Sequence, residues 1–142
     1  QHSFPTRRSS DLEMKSYRYT LQGVAEDEMK KACDKDAATT CFVEGDKLII
    51  DLGGERTITS FHYLPDQSEY NKGLISSYEI AVGMEENAIN NVVKQGEFSN
   101  IKHNPILQSV YFTPINARYI SLKPTKMVNE GEQMGFAEIA IR

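Results

Sequence analysis

The sequence predicts an all-β domain built as an antiparallel sandwich or jelly roll. Two observations predict it: seven or eight short strand-like runs recur at regular intervals, and almost no stretch carries a helical period. Tyr17–Val24 alternates aromatic, polar and apolar residues and reads as the first strand. Ala25–Lys31 is short and charged, enough for one helical turn. Lys47–Leu52 is a compact β-branched run closed by the turn pair Gly53-Gly54. Arg56–Leu64 alternates, with Thr57, Thr59, Phe61 and Tyr63 on one face and Ile58, Ser60, His62 and Leu64 on the other.

Pro65–Gly73 is a polar loop, and Leu74–Gly83 is a strand whose larger apolar members are Ile75, Tyr78, Ile80 and Val82. A loop over Met84–Asn91 leads to a short strand, Val92–Phe98, and a turn at Asn100–Pro105. Leu107–Phe112 and Ala117–Leu122 read as two further strands. Pro124–Gly135 has no periodicity and reads as a long loop, the kind of segment that carries function in compact domains. Gly135–Arg142 closes the chain as a strand holding Phe136, Ile139 and Ile141. Internal repeats and low-complexity segments are absent, and nothing marks a second domain.

Gln1–Leu12 stands apart. Its wording looks like the in-frame translation of a sequencing-library adapter, with arginines among serines and no apolar run. On that reading the natural N-terminus is missing, and the domain occupies residues 13–142, about 130 residues, enough for a real core. The whole chain carries a net charge of −4, and removing two arginines and one aspartate takes it to −5. That balance, without a basic cluster, disfavours nucleic acid and anionic membranes as partners. No apolar run approaches transmembrane length. Cys33 and Cys41 are too few for a disulfide scaffold, and two unpaired thiols are expected, Cys33 in the core.

Catalytic patterns are missing. There is no Gly-x-Ser-x-Gly, no His-Glu-x-x-His and no phosphate-cradling glycine loop. His62 falls mid-strand and His103 in a turn, positions that read as structural or solvated. Adjacent acids such as Asp27-Glu28 and Glu85-Glu86 need not converge. The chain is expected not to be a catalyst.

One stretch invites a ligand. Lys31–Thr39 holds Asp34 and Asp36 two residues apart, with Thr39 three residues on. Taken alone it reads first as a solvated turn and second as a hard-cation loop. It is not an EF-hand: counting from Asp34, the sixth place is Thr39 rather than Gly and the twelfth is Gly45 rather than Glu.

From Tyr17 to Arg142 the chain resembles the discoidin, or coagulation factor 5/8 type C, domain, whose bacterial relatives are carbohydrate-binding modules of glycoside hydrolases. The likeness is carried in order by Lys31-Ala32-Cys33-Asp34 with Thr39, Ile50-Asp51-Leu52-Gly53, Phe61-His62-Tyr63-Leu64-Pro65-Asp66-Gln67 and Gly73-Leu74-Ile75 with Tyr78-Glu79. Ala117-Arg118-Tyr119-Ile120-Ser121-Leu122 and Ala137-Glu138-Ile139 complete it. The resemblance implies an eight-stranded galactose-binding-like jelly roll and a structural calcium ion. Its ligands would be the carbonyl of Lys31, the side chains of Asp34, Asp36 and Thr39, the carbonyl of Ala137 and the carboxylate of Glu138. Such an ion would join an early loop to the last strand.

For the sugar, galactose-binding members present a histidine after the metal loop, an arginine after the Leu-Pro pair and an aromatic in the last long loop. Here those places hold Phe42, Asp66 and Gln133, and tryptophan is absent. A sugar face would therefore fall to Phe42 or Tyr70, with Asp66, Gln67, Asn71, Lys72 and Gln133 as polar partners. The wording of residues 63–75 is most similar to modules trailing α-L-fucosidases. Two readings of function follow. Either the domain binds a terminal sugar for a secreted, periplasmic or cell-surface parent hydrolase, or it has lost that site and packs against the parent's catalytic domain.

Overall fold

The computed structural model describes residues 16–22, 41–43, 45–67, 72–98, 101 and 106–142. The adapter-like Gln1–Leu12, the Lys31–Thr39 loop with Cys33, and Tyr70 and Asn71 lie outside them. Eight strands are described: β1 (Thr20–Gln22), β2 (Cys41–Phe42), β3 (Leu48–Leu64), β4 (Ile75–Gly83), β5 (Asn91–Glu97), β6 (Gln108–Met127), β7 (Gly135–Phe136) and β8 (Glu138–Ile141). All pairings are antiparallel. The main sheet runs β1-β3-β6-β4-β5, with β8 also on β3, and β2 pairs with β7 separately. This is the expected all-β, jelly-roll-type fold.

Three expectations of detail change. Gly53-Gly54 does not end a strand. Between Asp51 and Arg56 the register with β6 slips from Tyr119 to Ala117, so four β3 residues face one. Gly53 holds φ +79°, and its N–H donates to Asp51 Oδ1 at 2.8 Å. That local turn bulges the strand without breaking it. Arg118, opposite the bulge, grips Asp51 with Nε–Oδ1 at 2.9 Å and Nη2–Oδ2 at 3.2 Å. The Arg118 hydrogen bond holds the Asp51 carboxyl below its ordinary pKa, against the opposing effect of desolvation.

The two strands expected over 107–122 are likewise one. Pro114 falls in the second slip, between Ile58↔Ile115 and Ser60↔Tyr111, where its missing N–H costs no ladder bond. The freed N–H groups of Thr59 and Ser60 donate instead to the carbonyl of Arg142, at 2.6 and 3.1 Å. β3 changes face at this slip, so Ile58 joins Phe61 and Tyr63 in the core rather than sharing the face of His62 and Leu64. The third change is at Pro124–Met127, expected as loop, which continues β6 against Tyr78, Ser77 and Ile75. Pro124 is again tolerated beside a register shift.

One large core fills the fold, with Leu48, Ile50, Ile58, Phe61, Tyr63, Ile75, Ile80, Ile120, Leu122, Phe136 and Ile141 fully buried. Each such side chain contributes about 1.5–3 kcal/mol of burial free energy. A smaller cluster of Leu64, Ala137 and Ala140 lies on the other face of β3 and β8. The described ends of the chain meet on one side of β3: Tyr17 N–H donates to Ile141 O at 2.8 Å, and Tyr19 OH donates to Ile139 O at 2.6 Å.

Candidate functional site

At the end of β3, Tyr63 is fully buried and organises one pole of the sandwich. Its ring stacks on Phe98 at 5.1 Å and 20°, and Phe98 stacks on Tyr78 at 4.4 Å and 23°. Its hydroxyl donates to the Gly135 carbonyl at 2.8 Å and lies 3.4 Å from that of Gly73. Burial pushes the phenol further above its ordinary pKa, so it stays a donor throughout the working pH range. One buried hydroxyl thus ties together segments 62 residues apart in sequence, Gly73 and Gly135.

Further bonds close the same knot. Gly73 N–H donates to Glu132 Oε1 at 2.7 Å, and Gly135 N–H donates to Gly73 O at 3.1 Å. Gly73 sits at φ +73°, and a β-carbon there would lie 2.4 Å from Gly135 N. Only glycine lets the two backbones approach so closely. On the other side, β2 docks on β7 with Phe42 opposite Gly135. Val43 N–H donates to Met134 O at 2.9 Å, and Gln133 Nε2 donates to Val43 O at 2.6 Å.

Of the expected sugar residues, the fold brings Phe42, Asp66, Gln67, Lys72 and Gln133 to this one pole. They are not equivalent there. Asp66 is 2 % exposed, and its Oδ2 accepts the Lys72 N–H at 2.8 Å, which pins the ends of the 66–72 loop. Gln67 is half-buried and donates through Nε2 to Pro65 O at 2.9 Å. Lys72 and Gln133 are exposed, and Phe42 is half-buried. The pole therefore offers an ammonium, an amide and one half-buried aromatic ring on a rigid base, with polar groups suited to hydroxyls. The bonds by which Glu132 and Tyr63 hold the base together are not marked by any local pattern in the sequence, because their partners are 59 and 72 residues away.

Of the expected metal ligands, Ala137 and Glu138 are described. Glu138 opens β8 opposite Leu64, and Ala137 N–H donates to Leu64 O at 2.8 Å. Glu138 shares the face of His62, Leu64 and Ala140, is 5 % exposed, and both its carboxylate oxygens are shielded from water. A carboxylate so placed needs a cation or strong donors near it. Among the described residues no three His, Cys, Asp or Glu side chains form a metal cluster.

On the same face His62 is buried between two hydroxyls, with Nε2 2.9 Å from Ser60 Oγ and Nδ1 2.8 Å from Ser109 Oγ. Desolvation, helped by the charge of Arg142, pulls its pKa down to about 4. The neutral ring donates to one serine and accepts from the other, a structural use of its two nitrogens.

The F5/8 type C domain model matches residues 19–140. The chain belongs to the F5/8 type C family. Among curated proteins none matches it. Solved structures share the fold. This F5/8 type C domain is similar to CpGH89CBM32-5 from Clostridium perfringens, in complex with GalNAc-β-1,3-galactose (TM-score 0.70, 21% identity, 87% of this chain and 93% of that one). It is similar also to the family 32 CBM of C. perfringens NanJ in complex with galactose (TM-score 0.68, 22% identity, 87% and 91%). A glycoside hydrolase 29 family member from an unknown rumen bacterium matches at 31% identity and TM-score 0.63, over 68% of this chain. This domain spans 17% of that enzyme's length.

Proposed function

We propose that this F5/8 type C domain is a non-catalytic carbohydrate-binding module that attaches a parent hydrolase to glycan through the pole built on Tyr63. The observation that carries the proposal is the knot of Gly73, Glu132, Gln133, Gly135 and Val43, which fixes Phe42, Lys72 and Gln133 on one rigid surface. Its fold neighbours were solved with galactose and GalNAc-β-1,3-galactose, and a terminal sugar of that size is the ligand class proposed here. Asp66 serves by holding the 66–72 loop, with Tyr70 and Asn71 within that loop as further candidates. The test is calorimetric titration with galactosides and fucosides, in which Lys72→Ala abolishes binding without lowering the melting temperature, and Gln133→Ala abolishes it at a stability cost of about 0.5–1.5 kcal/mol for its lost bond to Val43 O. Silence across both sugar classes would refute the proposal.

The parent we propose is a secreted, periplasmic or cell-surface glycoside hydrolase of the α-L-fucosidase kind. The 31% identity to part of a family 29 glycoside hydrolase supports a glycoside-hydrolase parent, and the wording of residues 63–75 is what suggests the fucosidase kind. We propose also a structural calcium ion held by Glu138, the Ala137 carbonyl and the stretch Lys31, Asp34, Asp36 and Thr39. The buried carboxylate of Glu138 supports it, since a divalent cation compensates such a charge.

A second reading, in which the domain packs on the parent's catalytic domain, draws on Tyr111. That ring is 64 % exposed on the outer face of β6, beside His62 at 5.9 Å. An interface would cover it.

A further inference from the structure

A second concavity lies away from the pole, on the outward face of the main sheet. Ile80 and Leu122 point into the core, so their neighbours Glu79, Ala81, Ser121 and Lys123 point out. The register sets Glu79 opposite Lys123, and Ala81 opposite both Ser121 and Val92. The β4–β5 connection supplies a wall. Gly83 makes this possible, because a β-carbon there would lie 2.3 Å from Ala88 O and 3.0 Å from Ile89 Cα. The loop therefore curls tightly back, closed by the Ala88 N–H to Glu85 O bond at 3.0 Å, and drops Ile89 onto Ala81 and Tyr119. Asp46 and Lys47, just before β3, form the opposite rim, and the cavity is about 350 Å³.

We propose that this groove is a second saccharide site, one that takes a neutral oligosaccharide of two or more rings lying across the sheet. The charges argue for the class of ligand. Asp46, Glu79, Lys47 and Lys123 line the groove as two carboxylates and two ammonium groups, so its net charge is zero and it favours neither anion nor cation. Among the described residues none of the four is engaged in an ion pair or a side-chain hydrogen bond. They are free to accept from and donate to hydroxyls, with Ser121 and Asn90 between them. The floor of Ala81 and Ile89 is low and apolar, and Val92, 44 % exposed, offers a surface for a ring's C–H face. The volume is at the small end of ligand sites, about 300–1,000 Å³, which fits a short glycan. The strand positions are fixed by the ladder, so the groove is preorganised. The class of ligand rests on the carbohydrate reading above; the location does not.

The test is a ¹H–¹⁵N titration of the full chain with galactose, lactose and cellotriose. Saturable shifts are expected at the amides of 79–82 and 120–123 with lactose or cellotriose and not with galactose. A Glu79→Gln/Lys123→Gln double variant, altering side chains outside the core, should raise the groove Kd at least tenfold, while Gln133→Ala leaves it unchanged. Shifts confined to residues 43, 72 and 133–135 would overturn the groove and keep the pole. No shift at either place would overturn both.

Discussion

Replacing Gly73 by alanine tests the knot at the pole. The residue sits at φ +73°, and the new methyl would lie 2.4 Å from Gly135 N, 2.7 Å from Gly135 Cα and 3.0 Å from Gln133 O. Left-handed backbone costs a residue with a β-carbon about 1–2 kcal/mol. Forcing a methyl against backbone adds about 1–3 kcal/mol. The sum, about 2–5 kcal/mol, corresponds to a fall in Tm of about 6–15 °C at this chain length. Gly53→Ala is the control, because φ there is +79° and nothing lies within 4 Å of the added carbon. It should lose only the conformational part, about 1–2 kcal/mol. Urea denaturation of both variants gives the difference directly. Saccharide titration of the Gly73 variant should show weakened binding as Gln133 and Phe42 are displaced. Equal losses at the two glycines, with binding intact, would refute the close approach and the rigid base built on it.

Other outcomes follow from the buried groups. Tyr63→Phe removes a hydroxyl bonded at 2.8 Å to Gly135 O and should cost about 0.5–1.5 kcal/mol in denaturant titration. His62 has a folded pKa of about 4 against an ordinary 6.5, so the unfolded chain binds its proton first as pH falls. Its contribution is complete above pH 6.5 and is lost as pH drops from there toward 4; about 1–2 kcal/mol should disappear over that window, and His62→Gln should flatten the slope. An imidazole titrating near 6.5 by NMR would contradict that. For the proposed ion, calcium at a hundred times its Kd adds about 2.7 kcal/mol. A chelator should lower the Tm, and Glu138→Gln should remove the calcium response; a melt indifferent to chelator would count against the ion.

The fold class was legible because the strands alternate and turn residues punctuate them. Ile75, Tyr78, Ile80 and Val82, singled out by pattern, are all buried. What pattern could not show was continuity. Gly53-Gly54 and Pro114 carry the signs of strand ends, yet long-range pairing with β6 and β8 turns both into irregularities inside strands. The site divides in the same way. Phe42, Lys72 and Gln133 were visible as loop residues, but the hydrogen bonds that bring them together span 59 to 90 residues and leave no local trace. Asp66 looked like a surface acid and is instead buried within its own loop. The groove between Glu79 and Lys123 exists only through the β4–β6 register.

The most direct measurement is calorimetry of the full chain against terminal galactosides and fucosides, run beside Lys72→Ala and Gln133→Ala. Saturable heat that vanishes in both variants, with Lys72→Ala still melting like the parent, is the predicted result. Heat that persists in both variants, or none with any sugar, would contradict the assignment of glycan binding to the Tyr63 pole.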